Sequence, residues 1–183
     1  MNHAMIRPMG NESTPLKLDL GCGTKKRPGF LGVDSRQFEG VDFVVDLRQP
    51  WPWRDGTVEE AFCSHVVEHL TAPERIHFIN ELYRVLRPGA AATIVVPNWA
   101  SALAYGDLTH QWPPVSADWF YYLGKAWRTQ HAPHNDFYTC DFSVQYRYTM
   151  HEHFRSAPPG DQQFACTFYV DAAPEIMAEL KKL

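Results

Sequence analysis

LKLDLGCGTKKRPGFLGVD, residues 16–34, is the stretch on which the fold turns. LKLDL (16–20) reads as a short strand ending at Gly21-Cys22-Gly23, and FLGV (30–33) as a second strand ending at Asp34. Short apolar runs of this kind suit buried parallel strands. Parallel strands need a crossover, normally of a dozen residues or more when it carries a helix. Only nine residues, GCGTKKRPG, separate Leu20 from Phe30. The first crossover is therefore expected to be a turn without a full helix. Gly21 and Gly23 let the chain turn sharply and approach a ligand closely.

Outward from this stretch the pattern repeats. Residues 41–45 read as a third strand ending at Asp46, 57–63 as a fourth ending at Ser64, and AAATIVV (90–96) as a fifth. A helix is expected over 73–86, with Thr71 as N-cap, Pro73 and Glu74 in its first turn, and Pro88-Gly89 as its stop. Ile76, Ile79, Leu82, Tyr83 and Leu86 form an apolar stripe for packing on a sheet. Strand, helix and strand in this order imply a right-handed crossover and an α/β layered fold.

The texture changes after the fifth strand. Residues 97–140 read as a cap segment rich in aromatics, proline and histidine, and a connection this long is usually functional. A short helix is expected over 117–127, strands over 143–150 and 164–170, and a closing helix over 174–183. Residues 1–15 read as a flexible N-terminal tail before a single domain over 16–183. There is no internal repeat.

Composition narrows the classes. The chain has 183 residues, 45% of them hydrophobic, as in an ordinary globular domain. No apolar run approaches the roughly 18 residues of a membrane span, and no signal-peptide block opens the chain, so the expected location is the cytoplasm without membrane insertion. Cys22, Cys63, Cys140 and Cys166 form no close pair, against a disulfide scaffold or a zinc ribbon. A net charge of −4 gives no general attraction to nucleic acid. Lys25-Lys26-Arg27 is a local basic run, either a solvated loop or an anion-handling one.

In an open parallel sheet, ligands bind beyond the carboxyl ends of the strands. Here those ends carry Asp19 to Gly23, Asp34, Asp46, and Ser64-His65. A dinucleotide fingerprint would read GxGxxG, and the third glycine is missing; no GxxxxGK[ST] phosphate loop occurs. An acidic residue at the second strand end suits a ribose diol.

LDLGCG (18–23), LGVD (31–34), VVDLRQPWPW (44–53), SHVVEHL (64–70) and ELYRVLRPGAAATIVVPN (81–98) together resemble class I S-adenosylmethionine-dependent methyltransferases. The likeness is greatest to the broad small-molecule group with an H-x-x-EHL segment after strand four. It implies a Rossmann-like, mostly parallel α/β sheet of seven strands, the last antiparallel. This chain would differ by its shortened first crossover and an aromatic-rich insertion after strand five. By the resemblance, S-adenosyl-L-methionine is the cofactor. Asp19, Gly21, Cys22 and Gly23 would surround its methionine part, with Lys25 as a partner for the carboxylate. Asp34 and the adjacent Ser35 would take the ribose, Asp46 and Leu47 would flank the adenine, and Ser64 and His65 would close the pocket.

His65-Val66-Val67-Glu68-His69 also spells the HxxEH of one zinc peptidase class. Such a site needs both histidines on one helical face. His65 directly follows a buried strand, so the spelling is read as a strand exit, and no metal ligands are assigned. A hydroxyl acceptor requires proton removal during methyl transfer, and histidine is a suitable base. His110, past strand five with Asp107 before it, is the first candidate and His65 the second. The expected function is O-methylation of a small-molecule or glycan hydroxyl. The alternatives are a non-catalytic S-adenosylmethionine-binding protein, a nucleic-acid methyltransferase and a zinc-dependent hydrolase. Against the nucleic-acid reading, position 64 onward is SHVV rather than [DNS]PP[YFW], and no cysteine follows a proline. Oligomeric state is not legible.

Overall fold

The structure is a computed structural model and describes residues 16–183. The expected tail, 1–15, lies outside the described residues. Seven strands form one sheet: β1 (Leu16–Leu20), β2 (Leu31–Asp34), β3 (Val41–Val44), β4 (Val58–Ser64), β5 (Leu86–Pro97), β6 (Phe142–Thr149) and β7 (Glu175–Lys182). Their order is β3-β2-β1-β4-β5-β7-β6. β1 to β5 pair in parallel, and β7 runs antiparallel to both β5 and β6. This is the Rossmann-like, mostly parallel architecture expected from the sequence.

The β1–β2 and β2–β3 connections contain no helix, as the short spacing requires. The single long crossover helix in this half is α1 (Ala72–Val85), between β4 and β5. Its capping box is complete. Glu74 accepts from the backbone N–H of Thr71 at 2.8 Å and from its hydroxyl at 2.7 Å. These bonds to Thr71 hold the Glu74 carboxyl below its usual range. Phe78, Ile79, Leu82 and Val85 bury the inner stripe.

The second half departs from expectation in three places. The helix expected over 117–127 is two, α2 (Ala117–Tyr121) and α3 (Lys125–His131), broken around Gly124. A second correction concerns the strand expected over 164–170, which is replaced by a helix over Pro159–Phe168, following a short helix over Glu152–Arg155. Third, the closing helix expected over 174–183 is strand β7. PEIMAELKKL contains good helix formers, but Ile176, Ala178 and Leu180 are fully buried at a spacing of two. Pairing on both sides, with β5 and β6, outweighs local propensity there.

The two faces of the sheet differ sharply. One row of paired positions runs Leu18, Ala61, Ala92, Leu180 and Val144, and it faces the core. The next row runs Asp19, Phe62, Thr93, Glu179 and Gln145 on the opposite face. On the core side Trp51 and Trp53 stand edge-on to one another at 5.9 Å, and Trp51 meets Phe78 at 5.3 Å. Arg84 ties this tryptophan strap to α1, donating to the carbonyls of Trp51 and Trp53 and to both oxygens of Glu81.

Candidate active site

The site is assembled at the carboxyl ends of β1 to β5. At the exit of β1, the N–H groups of Gly21 and Cys22 both donate to the Val33 carbonyl, at 2.7 and 3.1 Å. Gly21 has φ +73, and a Cβ there would lie 2.1 Å from Val66 Cγ2. The position therefore needs glycine on both counts. Asp19 is buried behind this turn, where its Oδ2 accepts from the Arg27 N–H at 2.7 Å. Burial pushes its carboxyl up. The same cause raises the buried Cys22 thiol. Lys26 pairs with Asp42 at 2.9 Å, while Lys25 is exposed.

At the end of β2, Asp34 Oδ2 accepts from the Gly23 N–H at 2.9 Å and Oδ1 from the Arg36 N–H at 3.1 Å. Two carboxylate oxygens offer about four acceptor positions, so two remain for a diol. Asp46 is more occupied. Its Oδ1 accepts from the Arg48 backbone N–H at 3.0 Å and from Nε at 2.8 Å, and its Oδ2 from Nη2 at 2.9 Å. The Arg48 guanidinium holds this carboxyl below its usual range. One acceptor position is left over for an amine. Leu47 is buried, with its carbonyl taken by Trp51 Nε1 at 3.1 Å.

A cavity of about 600 Å³ opens between these strand ends. Of the residues singled out in the sequence, Gly21, Asp34, Ser35, Asp46, Leu47 and His65 line it. Asp19, Cys22, Gly23, Lys25 and Ser64 do not. Val66, His69 and Leu70 supply a further wall, and Thr109 and Gln111 approach from the segment after β5. His110 stands just outside the lining, with its ring 4.8 Å from that of His69 in an edge-on arrangement.

The β4 exit is unusual. His65 has φ +56, an uncommon backbone state for a residue with a side chain. Its Nε2 meets Glu175 at 2.9 Å and its Nδ1 meets Glu68 at 3.0 Å. Glu68 and then Glu175 push the imidazole up to about 9, against the opposing effect of burial. Residues Val67–His69 form a short 3-10 turn, so His65 and His69 do not share a helical face. The cluster that converges here is Glu68, His69 and His110 instead.

Arg75 was read from sequence only as part of a helix, yet it organises this corner. Buried on α1, it donates to the carbonyls of Val67 and Leu70 at 3.0 and 2.9 Å and to those of Gln111 and Pro113 at 3.0 and 2.6 Å. Gln111 N–H in turn donates to the Glu68 carbonyl at 2.8 Å. One guanidinium thus fastens the turn after β4 to the segment after β5. The signal in the sequence was its position, three and four residues before Phe78 and Ile79, which puts a charged residue in line with the apolar stripe.

Comparison with known proteins shows what the chain is similar to. Residues 18–94, which hold β2 to β4, α1 and most of β1 and β5, match a family described as "Methyltransferase domain". No curated protein matches the sequence. Among solved structures, a SAM-dependent methyltransferase from Archaeoglobus fulgidus shares 18% identity with a TM-score of 0.63, over 93% of this chain and 87% of that one. A Thermotoga maritima methyltransferase, described as a possible histamine N-methyltransferase, shares 12% with a TM-score of 0.60, over 93% and 83%. A chain from the complex of the Haloferax volcanii Trm112 methyltransferase activator with a putative methyltransferase shares 14% with a TM-score of 0.55, over 92% and 82%. At these identities the structural likenesses speak for the fold. The chain thus carries a match to a methyltransferase domain over residues 18–94 and shares the fold of solved structures described as SAM-dependent methyltransferases. No helix among the described residues is long and apolar enough to cross a membrane.

The residues present fit S-adenosylmethionine, the cofactor named in the description of the Archaeoglobus structure. The cavity lies within the usual size for a small-molecule site, roughly 300–1,000 Å³. Asp34 has acceptor capacity for a diol, Asp46 retains one position for an exocyclic amine, and Leu47, Val66 and Leu70 supply apolar wall.

Proposed function

We propose that the protein methylates a hydroxyl of a small polar acceptor, a small molecule or a glycan, and stands with the small-molecule group whose fourth strand leads into H-x-x-EHL. When bound, S-adenosylmethionine supplies an electrophilic methyl on a sulfonium. The C–S bond breaks as the C–O bond forms, and the hydroxyl proton must leave. Asp34 holds the ribose and Asp46 the adenine amine, with Ser35 and Leu47 beside them. Asp19, Cys22, Gly23 and Ser64 shape the loops behind, and Lys25, on the exposed loop after them, is the partner assigned to the methionine carboxylate. Residues 97–140 act as a cap, a role supported by the places of Thr109 and Gln111 in the cavity wall.

Between the two histidines first considered, the geometry favours His110. His65 has both ring nitrogens against carboxylates and stays protonated at neutral pH, which suits holding charge rather than taking a proton. His110 Nδ1 faces the Ala104 carbonyl at 3.0 Å and so carries the hydrogen, leaving Nε2 with its lone pair. The observation that carries the reading is one cavity lined by both Asp34 and His69, with the His110 ring 4.8 Å from that of His69.

Calorimetric titration with S-adenosylmethionine and S-adenosylhomocysteine tests it. Asp34→Ala should weaken binding about ten- to hundredfold, the value of hydrogen bonds to a charged acceptor. Asp34→Asn, which keeps the contact to one loop N–H, should fall between. A wild type that binds neither compound overturns the reading. Methyl transfer only to amines, in a screen of hydroxylated and amino acceptors, overturns the acceptor assignment.

A further inference from the structure

Glu68 is a puzzle that methyl transfer does not explain. It is 3% exposed, and neither carboxylate oxygen makes a directed hydrogen bond; Oε1 lies 3.0 Å from His65 Nδ1 as an ion pair only. The His65 imidazolium answers Oε1, but the buried Oε2 has no partner of any kind among the described residues, which is costly and points to a missing one. Glu68, His69 and His110 each offer one ligand atom, and these lie within 4.8 Å of one another. Among the described residues this is the one such group of three.

The two rings are also set as metal-bound rings are. His69 Nδ1 lies 2.8 Å from the Thr109 hydroxyl, whose own hydrogen goes to Asp107 at 2.7 Å. His69 Nδ1 must therefore be the donor, and Nε2 carries the lone pair. His110 Nδ1 donates to the Ala104 carbonyl. Ligating histidines ordinarily give their other N–H to a carbonyl, or to a carboxylate directly or through a relay, which fixes the tautomer. Arg75, by fastening the two segments together, holds the corner in place.

We propose that Glu68, His69 and His110 form a binding site for a first-row divalent cation. Two imidazoles and one carboxylate favour zinc, cobalt, manganese or iron over the all-oxygen preference of magnesium and calcium. Three protein ligands leave at least one coordination position open, beside the cavity that His69 lines. This deepens the hydroxyl-methylation reading and rests on it for its role. The acceptor oxygen would take an open position, where its acidity rises and its proton can leave to water; with the cation bound, the ligand role of His110 replaces the base role proposed for it. It also amends the reading of the HxxEH string, whose Glu68 and His69 serve a metal while His65 does not.

The test uses the full chain, without a histidine tag, and Co²⁺ as the probe. Titration should give one saturable visible absorption band, displaced by Zn²⁺. His110→Ala and Glu68→Gln should each weaken cobalt binding by more than tenfold. Thr109→Val, which removes only the hydroxyl behind His69, should weaken it about ten- to hundredfold. Circular dichroism and S-adenosylhomocysteine binding check that each variant is folded. No saturable band, or a band that survives both ligand substitutions, overturns the site and leaves Glu68 paired with His65 alone. Asp34→Ala separates the two readings. It should lose S-adenosylmethionine and keep cobalt, so a wild type that binds cobalt but no cofactor refutes the methyltransfer reading and not the site.

Discussion

The two faces of the sheet solve the same problem in opposite ways. The core face carries Leu18, Ala61, Ala92 and Leu180 under α1 and the tryptophan strap. The opposite face presents Asp19, Thr93, Glu179 and Gln145, with Phe62 under the Arg27 guanidinium at 4.4 Å, and an open groove of about 380 Å³ lies over it. Parallel sheets usually bury both faces because each crossover brings a helix. Here the β1–β2 and β2–β3 connections bring none, so the uncovered rows are polar or shielded by long side chains. The strand ends are untouched by this economy. Their carboxylates and glycines belong to the loops, and the cavity forms whether or not a helix follows each turn.

The contrast predicts where stability resides. Phe78 is fully buried against Trp51 on the core face. Phe78→Ala should cost about 3–5 kcal/mol, through lost burial and the cavity left behind. Urea denaturation followed by tryptophan fluorescence would measure it. A loss under about 1 kcal/mol would mean that the strap does not depend on this helix, and the distinction between the faces would fail.

A second, smaller effect tests how the strap is pinned. Glu81 accepts from Arg84 Nε and Nη2 and from the Trp51 N–H, all at 2.7 Å. Its hydrogen bond to Arg84, foremost, holds its carboxyl below the ordinary value, against the effect of burial. A carboxyl depressed on folding adds stability that is fully present above its unfolded pKa, about 4.3, and is lost as pH falls through its lower folded value. Glu81→Gln should therefore cost about 1.5–3 kcal/mol at pH 7. The gap between mutant and wild type should close as pH falls below about 4. A pH-independent gap would show that packing, not charge, fixes the strap.

The same contrast explains what could be read in advance. In the first half, each strand ends in a residue whose chemistry is local: Gly21 turns, Asp34 accepts, Thr71 caps. These features depend on neighbours a few positions away, so spacing alone revealed them and predicted the missing first helix. The second half depends on distant partners. The alternation of Ile176, Ala178 and Leu180 was present in the sequence, but its meaning came only from pairing with Val96, Ala92 and their neighbours on β5. The corner of Glu68, His69 and His110 joins residues some 40 positions apart through Arg75, and no local pattern announces that meeting. His65 looked available because its strand exit was visible, whereas Glu175, its partner from β7, was hidden in a segment expected to be helical.

The smallest effect belongs to the open face. The Arg27 side chain lies over Phe62 and, at 5.5 Å, over Phe30, while its backbone N–H is what holds Asp19. Arg27→Ala removes the first contacts and spares the second. An exposed cation–π contact is worth about 0.5–1 kcal/mol, so unfolding should shift by no more than that, with cofactor affinity unchanged. A larger loss would mean that the arginine stem replaces the missing helix as a true cover, and the face would have to be counted as part of the core. If cofactor affinity fell as well, the side chain would be steering the loop that ends at Asp34. The cavity would then depend on the open face, contrary to the independence of strand ends and sheet covering on which the comparison rests.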